Sequence, residues 1–157
     1  MPNFNLEDLV LHQPVDRFLK ALMASEKYRP AILRLLKVPP ELSEGSRLLN
    51  REIFLTTMGR RFLDCPVELR NKLVIDYEFV TTWRESHFDK LFEYLPPLVK
   101  TLSEEKKERA RVIMELVILR GTAKKKRQDF YLSDNLLGEL CVYFKPPIFF
   151  MKDHIDM

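Results

Sequence analysis

The sequence predicts an all-α fold: a single compact multi-helix domain of six to eight helices with an apolar, extended C-terminal tail. Three observations lead to this prediction. Apolar residues recur at intervals of three and four along most of the chain, which is the period of an amphipathic helix. Glycine accounts for 4 of the 157 residues, too few for the many tight turns of a β-sandwich. A chain of this length fits one domain.

Two helices are expected near the N-terminus. The first would begin at Pro14, because proline suits the first turn of a helix. Its buried face would hold Val15, Phe18, Leu19, Leu22 and Met23. The second would open at Pro30 and stay short, since Pro39, Pro40 and Gly45 interrupt the chain soon afterwards.

The middle of the chain is also interpreted as helical. One helix would run from Ser46 to about Phe62, and another would start at Pro66 and continue to about Val80. The stretch 73–82 is rich in residues that favour strands. Helix is the preferred interpretation there, because no partner strand with turn signals stands beside that stretch.

Three more helices are expected in the second half. The first would begin at Ser86 and end at Pro96. The next would run from the cap Ser103 to Arg120, with glycine following it. The last would begin at Ser133 and stop before the two prolines 146–147. Its buried face would hold Leu136, Leu137, Leu140, Cys141 and Phe144.

The predicted organisation is a helical domain over residues 1–147 and a C-terminal tail over residues 148–157, which packs on the domain or on a partner. Four consecutive apolar residues open that tail: Ile148, Phe149, Phe150 and Met151. Side chains of an extended segment alternate between two sides, so one side must find a second surface. These four residues are therefore the predicted partner-binding site.

Basic residues are concentrated in one short segment. The formal net charge is +3, and Lys124, Lys125, Lys126 and Arg127 form a run without an intervening acid. Such a run has three interpretations: a nuclear-import signal, a contact to phosphate groups, or a plain solvated loop. All three remain open at the level of sequence.

No pattern in the sequence nominates a catalytic or metal-binding group. The low glycine content argues against phosphate-cradling loops and dinucleotide fingerprints. His12, His87 and His154 belong to no HxH or HExxH pattern, and the two cysteines form no CxxC pair. The sequence therefore predicts no catalytic residue, no metal and no cofactor.

One segment suggests a family. The run Leu91–Leu102, followed by Lys106, Arg109, Arg111, Ile113 and Leu116, resembles the BESS motif of insect chromatin proteins. In that family the motif joins two short helices through a proline and mediates protein association. The resemblance, which covers residues 91–119, implies a role in protein–protein contact.

The functional expectation is a non-enzymatic helical interaction protein, an adaptor or accessory subunit of a larger multiprotein assembly. Its partners would be the other protein chains of that complex. The alternatives are a nuclear chromatin- or transcription-associated adaptor and a subunit that contacts nucleic acid through the basic run.

The expected location is intracellular, with the nucleus, the cytoplasm and an organelle as the options. No apolar run approaches the ~20 residues of a membrane span. Acids near the start, Glu7, Asp8 and Asp16, are unlike a targeting peptide.

Overall fold

The computed structural model describes residues 14–50, 52–55, 59–84, 86–120, 130–134, 139–144 and 146–154. Over these ranges the chain forms four α-helices and nine β-strands. The helices are α1 (Pro14–Ala24), α2 (Arg29–Leu35), α3 (Pro40–Ser43) and α4 (Ser86–Lys106). The strands are β1 (Arg47–Leu48), β2 (Glu52–Leu55), β3 (Gly59–Phe62), β4 (Cys65–Glu68), β5 (Val74–Val80), β6 (Val112–Ile118), β7 (Phe130–Asp134), β8 (Glu139–Phe144) and β9 (Ile148–Phe150). The fold is α/β, so the all-α prediction is wrong.

The centre of the molecule is a five-stranded mixed sheet with the order β1-β4-β5-β6-β9. Strands β1, β4 and β5 pair antiparallel, whereas β5, β6 and β9 pair parallel. Helix α4 makes the crossover between the parallel neighbours β5 and β6, as parallel pairing requires. Strands β2–β3 and β7–β8 form separate two-stranded antiparallel ladders.

Helices cover both faces of this sheet. One apolar cluster joins the sheet to α4, and it includes Val74, Leu91, Leu98, Met114 and Leu116. The other joins the opposite face to α1 and α2, and it includes Leu19, Met23, Leu33, Ile75 and Val117. Because side chains alternate along a strand, each face of β5 contributes to a different cluster.

The helices predicted over the middle of the chain are wrong. The segment from Ser46 to Phe62 forms β1, β2 and β3, Pro66 lies inside β4, and the ambiguous stretch 73–82 contains β5. A central strand covered on both faces has a nearly continuous apolar sequence rather than an alternating one. Such a run matches part of a helical pattern equally well.

Helix α4 begins at Ser86 as predicted, but it continues through Pro96 and Pro97 to Lys106. Its buried face is Phe88, Leu91, Tyr94, Leu98 and Leu102. Packing of this face on the sheet outweighs the backbone hydrogen bonds that two prolines remove.

The two later helices are also wrong. The segment expected to be helical from Ser103 to Arg120 contains the end of α4 and then β6. The segment expected to be helical from Ser133 contains the end of β7 and all of β8. In both segments strand pairing overrides local helical periodicity, with β5 and β9 for β6 and within one antiparallel ladder for β7 and β8.

The apolar tail becomes the edge strand β9 and a short 3-10 helix, Met151–Asp153. Phe149 and Met151 are buried in the cluster beside α1 and α2. Ile148 and Phe150 pack against the cluster beside α4. The domain itself therefore supplies a surface for each side of the strand.

The longest described helix, α4, has 21 residues and carries charged side chains along its length. Within the described ranges, no helix combines the length and the apolar character needed to cross a membrane.

Candidate functional site

Two acids interrupt the apolar strand at the centre of the sheet. Asp76 and Glu78 are two residues apart on β5, so both side chains lie on the face covered by α4. Their exposed fractions are 0% and 2%. Buried carboxylates are costly unless they are paired or hydrogen-bonded, so their contacts need an explanation.

Asp76 is incompletely satisfied. One oxygen, Oδ1, accepts a hydrogen bond of 3.3 Å from the backbone N–H of Cys65. Oδ2 is buried and accepts no hydrogen bond from an N–H group of the described residues. Glu78 lies close enough for the charge of Asp76 to act on it.

Glu78 is held from two sides. Oε1 accepts a hydrogen bond of 3.2 Å from the backbone N–H of Asp64, and Oε2 accepts one of 2.8 Å from Lys90 Nζ. Lys90 projects from the second turn of α4. Its side chain is 38% exposed, so this end of the pair is reachable from solvent.

A third carboxylate, Asp64, lies just before β4 at the same edge. Its Oδ2 accepts a hydrogen bond of 3.2 Å from the backbone N–H of Phe79. Its Oδ1 is 3.3 Å from Lys20 Nζ of α1. We call Asp64, Asp76 and Glu78 the carboxylate cluster.

The pKa values reflect this crowding. Burial raises the pKa of Asp76, and Asp64 adds to the effect. Burial also raises the pKa of Glu78, with further contributions from Asp76 and Asp64, and Lys90 offsets only part of the shift. Both shifts have the direction expected for two neighbouring carboxyl groups in a buried space, because burial and a nearby like charge each disfavour the charged form.

Basic groups flank the cluster where α4 begins. The pKa of His87 is lowered by burial and then by the charges of Arg84 and Lys90. The positive end of the helix dipole lies at the same place. The cluster therefore adjoins a region that favours an anion.

Glu78 and Asp64 lie toward the carboxyl end of β5, which is parallel to β6, whereas Asp76 is the third of the seven residues of β5. Ligands of open α/β sheets commonly bind outside the carboxyl ends of parallel strands. Among the described residues, no group of three or more His, Cys, Asp or Glu side chains has the arrangement to enclose a metal ion by itself. Mg²⁺ does not require such a cage, because one or two carboxylates with water and substrate phosphate oxygens usually suffice.

A second polar pair lies on the other face of the sheet. Tyr77 and Glu115 are register neighbours on β5 and β6. The hydroxyl of Tyr77 is buried and lacks a hydrogen-bond partner among the described residues. Burial raises the pKa of Glu115 to about 7, and burial together with Glu115 raises the pKa of Tyr77.

The site residues predicted from sequence lie elsewhere. Ile148, Phe149, Phe150 and Met151 form β9 and its continuation on the edge of the sheet. Binding of a partner by these residues stays a prediction. The basic run 124–127 lies outside the described residues.

The segment that resembles a BESS motif contains most of α4 and all of β6. The resemblance itself stays a prediction.

Sequence reasoning missed the carboxylate cluster and both of its lysines. One signal was available: Asp76 and Glu78 alternate with apolar residues in the stretch 73–82. As a strand, this stretch places both acids on one face. A helix would place the two acids on different faces, so the helix prediction gave no reason to expect a pair.

Comparisons with protein-family models, curated proteins and solved structures gave no match for this chain.

Proposed function

We propose that this chain binds a divalent cation at the carboxylate cluster and uses it to hydrolyse phosphodiester bonds. The observation that carries the proposal is Asp76, a fully buried carboxylate with one oxygen that accepts no hydrogen bond from an N–H group of the described residues. It lies beside two further carboxylates, and burial of such a group without compensation is unfavourable. A cation between Asp76 and Glu78 would satisfy the free oxygen and neutralise the pair.

The surroundings favour a phosphate ester as the substrate. Lys90 is partly exposed next to Glu78 in the second turn of α4, and the charge of Arg84 acts on His87 in the first turn of the same helix. A hard cation held by one or two carboxylates commonly completes its coordination with phosphate oxygens. A group of carboxylates beside a partly exposed lysine therefore matches the charges of a cation and a phosphodiester.

Each residue has a defined part in the reaction. Asp76 and Glu78 would hold the cation, which would polarise the phosphate and activate a water molecule. Lys90 would stabilise the negative charge that develops on the phosphate oxygens. The water oxygen bonds to phosphorus and the bond from phosphorus to the leaving oxygen breaks. The two hydrogens of water end on the new phosphate monoester and on the released hydroxyl.

A hydrolysis assay tests this function. The parent protein is incubated with bis(p-nitrophenyl) phosphate and with end-labelled DNA, with Mg²⁺ or Mn²⁺ and with chelator. We expect cleavage only with cation, and a loss of about 100-fold or more in Glu78→Gln, the size of effect typical for removing one stabilising group from an active site.

The matched control is Glu68→Gln. Glu68 is a β4 carboxylate that also pairs with a lysine of α4, Lys106, at the opposite end of the sheet. Activity should survive this change. Cleavage that is independent of cation, or equal loss in the two variants, would contradict the proposal.

The non-enzymatic adaptor expected from sequence stays the alternative. Its observable consequence is partner binding that depends on Ile148, Phe149, Phe150 and Met151. Because Phe149 and Met151 are buried in the domain core, a test must use the half-buried Ile148 and Phe150 and confirm that each variant still folds. Loss of partner binding in a folded Ile148→Ser variant, together with no hydrolysis by the parent, would favour this alternative.

A further inference from the structure

Helix α1 contacts the carboxylate cluster from the face of the sheet opposite α4. Lys20 Nζ lies 3.3 Å from Asp64 Oδ1 and 3.2 Å from Asp16 Oδ1, one turn earlier on the same helix. The side chains of Lys20 and Asp64 are 25% and 19% exposed. The ion pair is therefore only partly screened by solvent.

Apolar side chains also hold α1 on the sheet. Leu19 and Met23, with exposed fractions of 6% and 0%, already anchor the helix in the core. The ammonium group of Lys20 adds no apolar contact to that cluster. Its contacts are with Asp16 and with a carboxylate that adjoins the buried pair.

Asp64 in turn organises the pair. Its backbone N–H donates to Glu78 Oε1, while its side chain is oriented by Phe79 on one oxygen and by Lys20 on the other. Its charge raises the pKa values of both buried acids. Loss of Lys20 would therefore affect the cluster in two ways. It would free the side chain of Asp64 to change position, and it would remove the positive charge that compensates this carboxylate.

Resting on the proposed function, we propose that Lys20 is a positioning residue that orients Asp64 and sets how strongly the cluster holds a divalent cation. Asp16 shares the ammonium group and so limits how much of its charge acts on Asp64. The positive charge of Lys20 repels a bound cation. The same ammonium group holds Asp64 in its orientation through the ion pair. Affinity for the cation and turnover should therefore respond in opposite directions when Lys20 is lost.

Calorimetric titration with Mn²⁺ alone, together with the hydrolysis assay, tests this role. Lys20→Met should bind Mn²⁺ about threefold to tenfold more tightly, because a nearby positive charge is gone, and should hydrolyse about tenfold more slowly at saturating cation. Asp16→Asn should bind Mn²⁺ several-fold more weakly, because Lys20 then acts on Asp64 alone. Lys20→Arg should restore both quantities.

Lys27→Met is the matched control for net charge. Lys27 is exposed and lies over the ring of Tyr28, and it has no ion pair with the cluster among the described contacts. If Lys27→Met tightens Mn²⁺ binding as much as Lys20→Met does, the role of Lys20 is overturned. The role of Lys20 is also overturned if Lys20→Met and Asp16→Asn both weaken Mn²⁺ binding, because that result is expected when either substitution merely weakens the packing of α1 on the sheet. Absence of Mn²⁺ binding by the parent protein would overturn the proposed function, and this inference with it.

Discussion

Helix α4 pairs a lysine with a sheet glutamate at each of its ends. Near its start, Lys90 Nζ lies 2.8 Å from Glu78 of β5, and in its last turn Lys106 Nζ lies 2.5 Å from Glu68 of β4. The two contacts use the same chemistry on the same face of the sheet. The charged groups around the two glutamates differ, and as a result their pKa values shift in opposite directions.

At the Glu68 end cations are in excess. Burial alone would raise the pKa of Glu68, but hydrogen bonds and charges from Lys106 and Arg47 outweigh it and the pKa is lowered. At the Glu78 end carboxylates are in excess, and the pKa is raised. A lysine partner does not by itself fix the charge of a buried acid, because the balance of all nearby charges does.

The Glu68 end therefore has the properties of a stabilising contact. The Glu78 end keeps two buried acids with raised pKa values side by side, which is the pattern expected of a functional site. Four experiments break or sharpen this comparison.

The largest effect is expected from Asp76→Asn. The amide keeps the shape of the side chain, removes one charge from the cluster and can donate to Glu78. Cation-dependent hydrolysis should fall about 100-fold, while the free energy of unfolding should rise by about 1 kcal/mol, or about 2–4 °C in Tm. Assays and thermal melts of the same preparation measure both. Lower stability together with lost activity would instead mean that Asp76 supports the fold.

Loss of each lysine should have unequal effects on stability. Lys90→Met leaves Glu78 among carboxylates with one backbone donor, whereas Lys106→Met leaves Glu68 with Arg47 at 2.9 Å. We expect a loss of about 2–3 kcal/mol for the first and about 1 kcal/mol for the second, below the cost of leaving a fully buried charge unpaired. Urea unfolding at pH 7 measures the two losses. Equal losses would remove the distinction between the two ends.

The two ends should depend on pH in opposite senses. The raised pKa of Glu78 means that its stabilising contribution is present in acid and is lost as pH rises through the folded-state pKa. The lowered pKa of Glu68 means that its contribution is present above the unfolded-state pKa near 4.5 and is lost as pH falls.

Melting curves between pH 3 and pH 9 separate the two contributions. Glu78→Gln should gain stability over the parent protein chiefly at alkaline pH. Glu68→Gln should lose stability above pH 5 and match the parent near pH 3. Parallel profiles for the two variants would contradict the comparison.

The smallest effect is expected at Glu115, which lies on the other face of the sheet. Its pKa is raised by burial to about 7, so its stabilising contribution declines as pH rises through 7. Glu115→Gln should be about 1 kcal/mol more stable than the parent at pH 8 and indistinguishable from it at pH 4. Chemical unfolding at both pH values is the measurement, and a gain at pH 4 of the same size would show that ionisation is not the cause.

The sequence was sufficient where local signals decide the structure. Pro14 and Ser86 mark the first residues of α1 and α4 because capping and first-turn preferences act within one turn. It was insufficient for β5, whose conformation depends on β4 and β6 on either side and on helices above and below. Propensity alone does not supply those contacts.

The candidate site shows the same limit. Asp76 and Glu78 stand two residues apart, but this spacing has meaning only once the strand is known. Lys20 and Asp64 are brought together by the packing of α1 on the sheet, and no short motif records that contact. The sequence places Lys90 on a helix but does not indicate that its partner is Glu78.

Strand β9 has a consequence for the order in which the domain is completed. It pairs with β6, yet the segment between them contains the β7–β8 ladder. The ribosome adds roughly 5–20 residues per second. The backbone groups on one edge of β6 therefore stay unpaired for seconds until β9 has been synthesised. An unpaired edge strand with apolar side chains can pair with the strands of other nascent chains. Early chain termination before Ile148 should yield aggregated rather than folded protein.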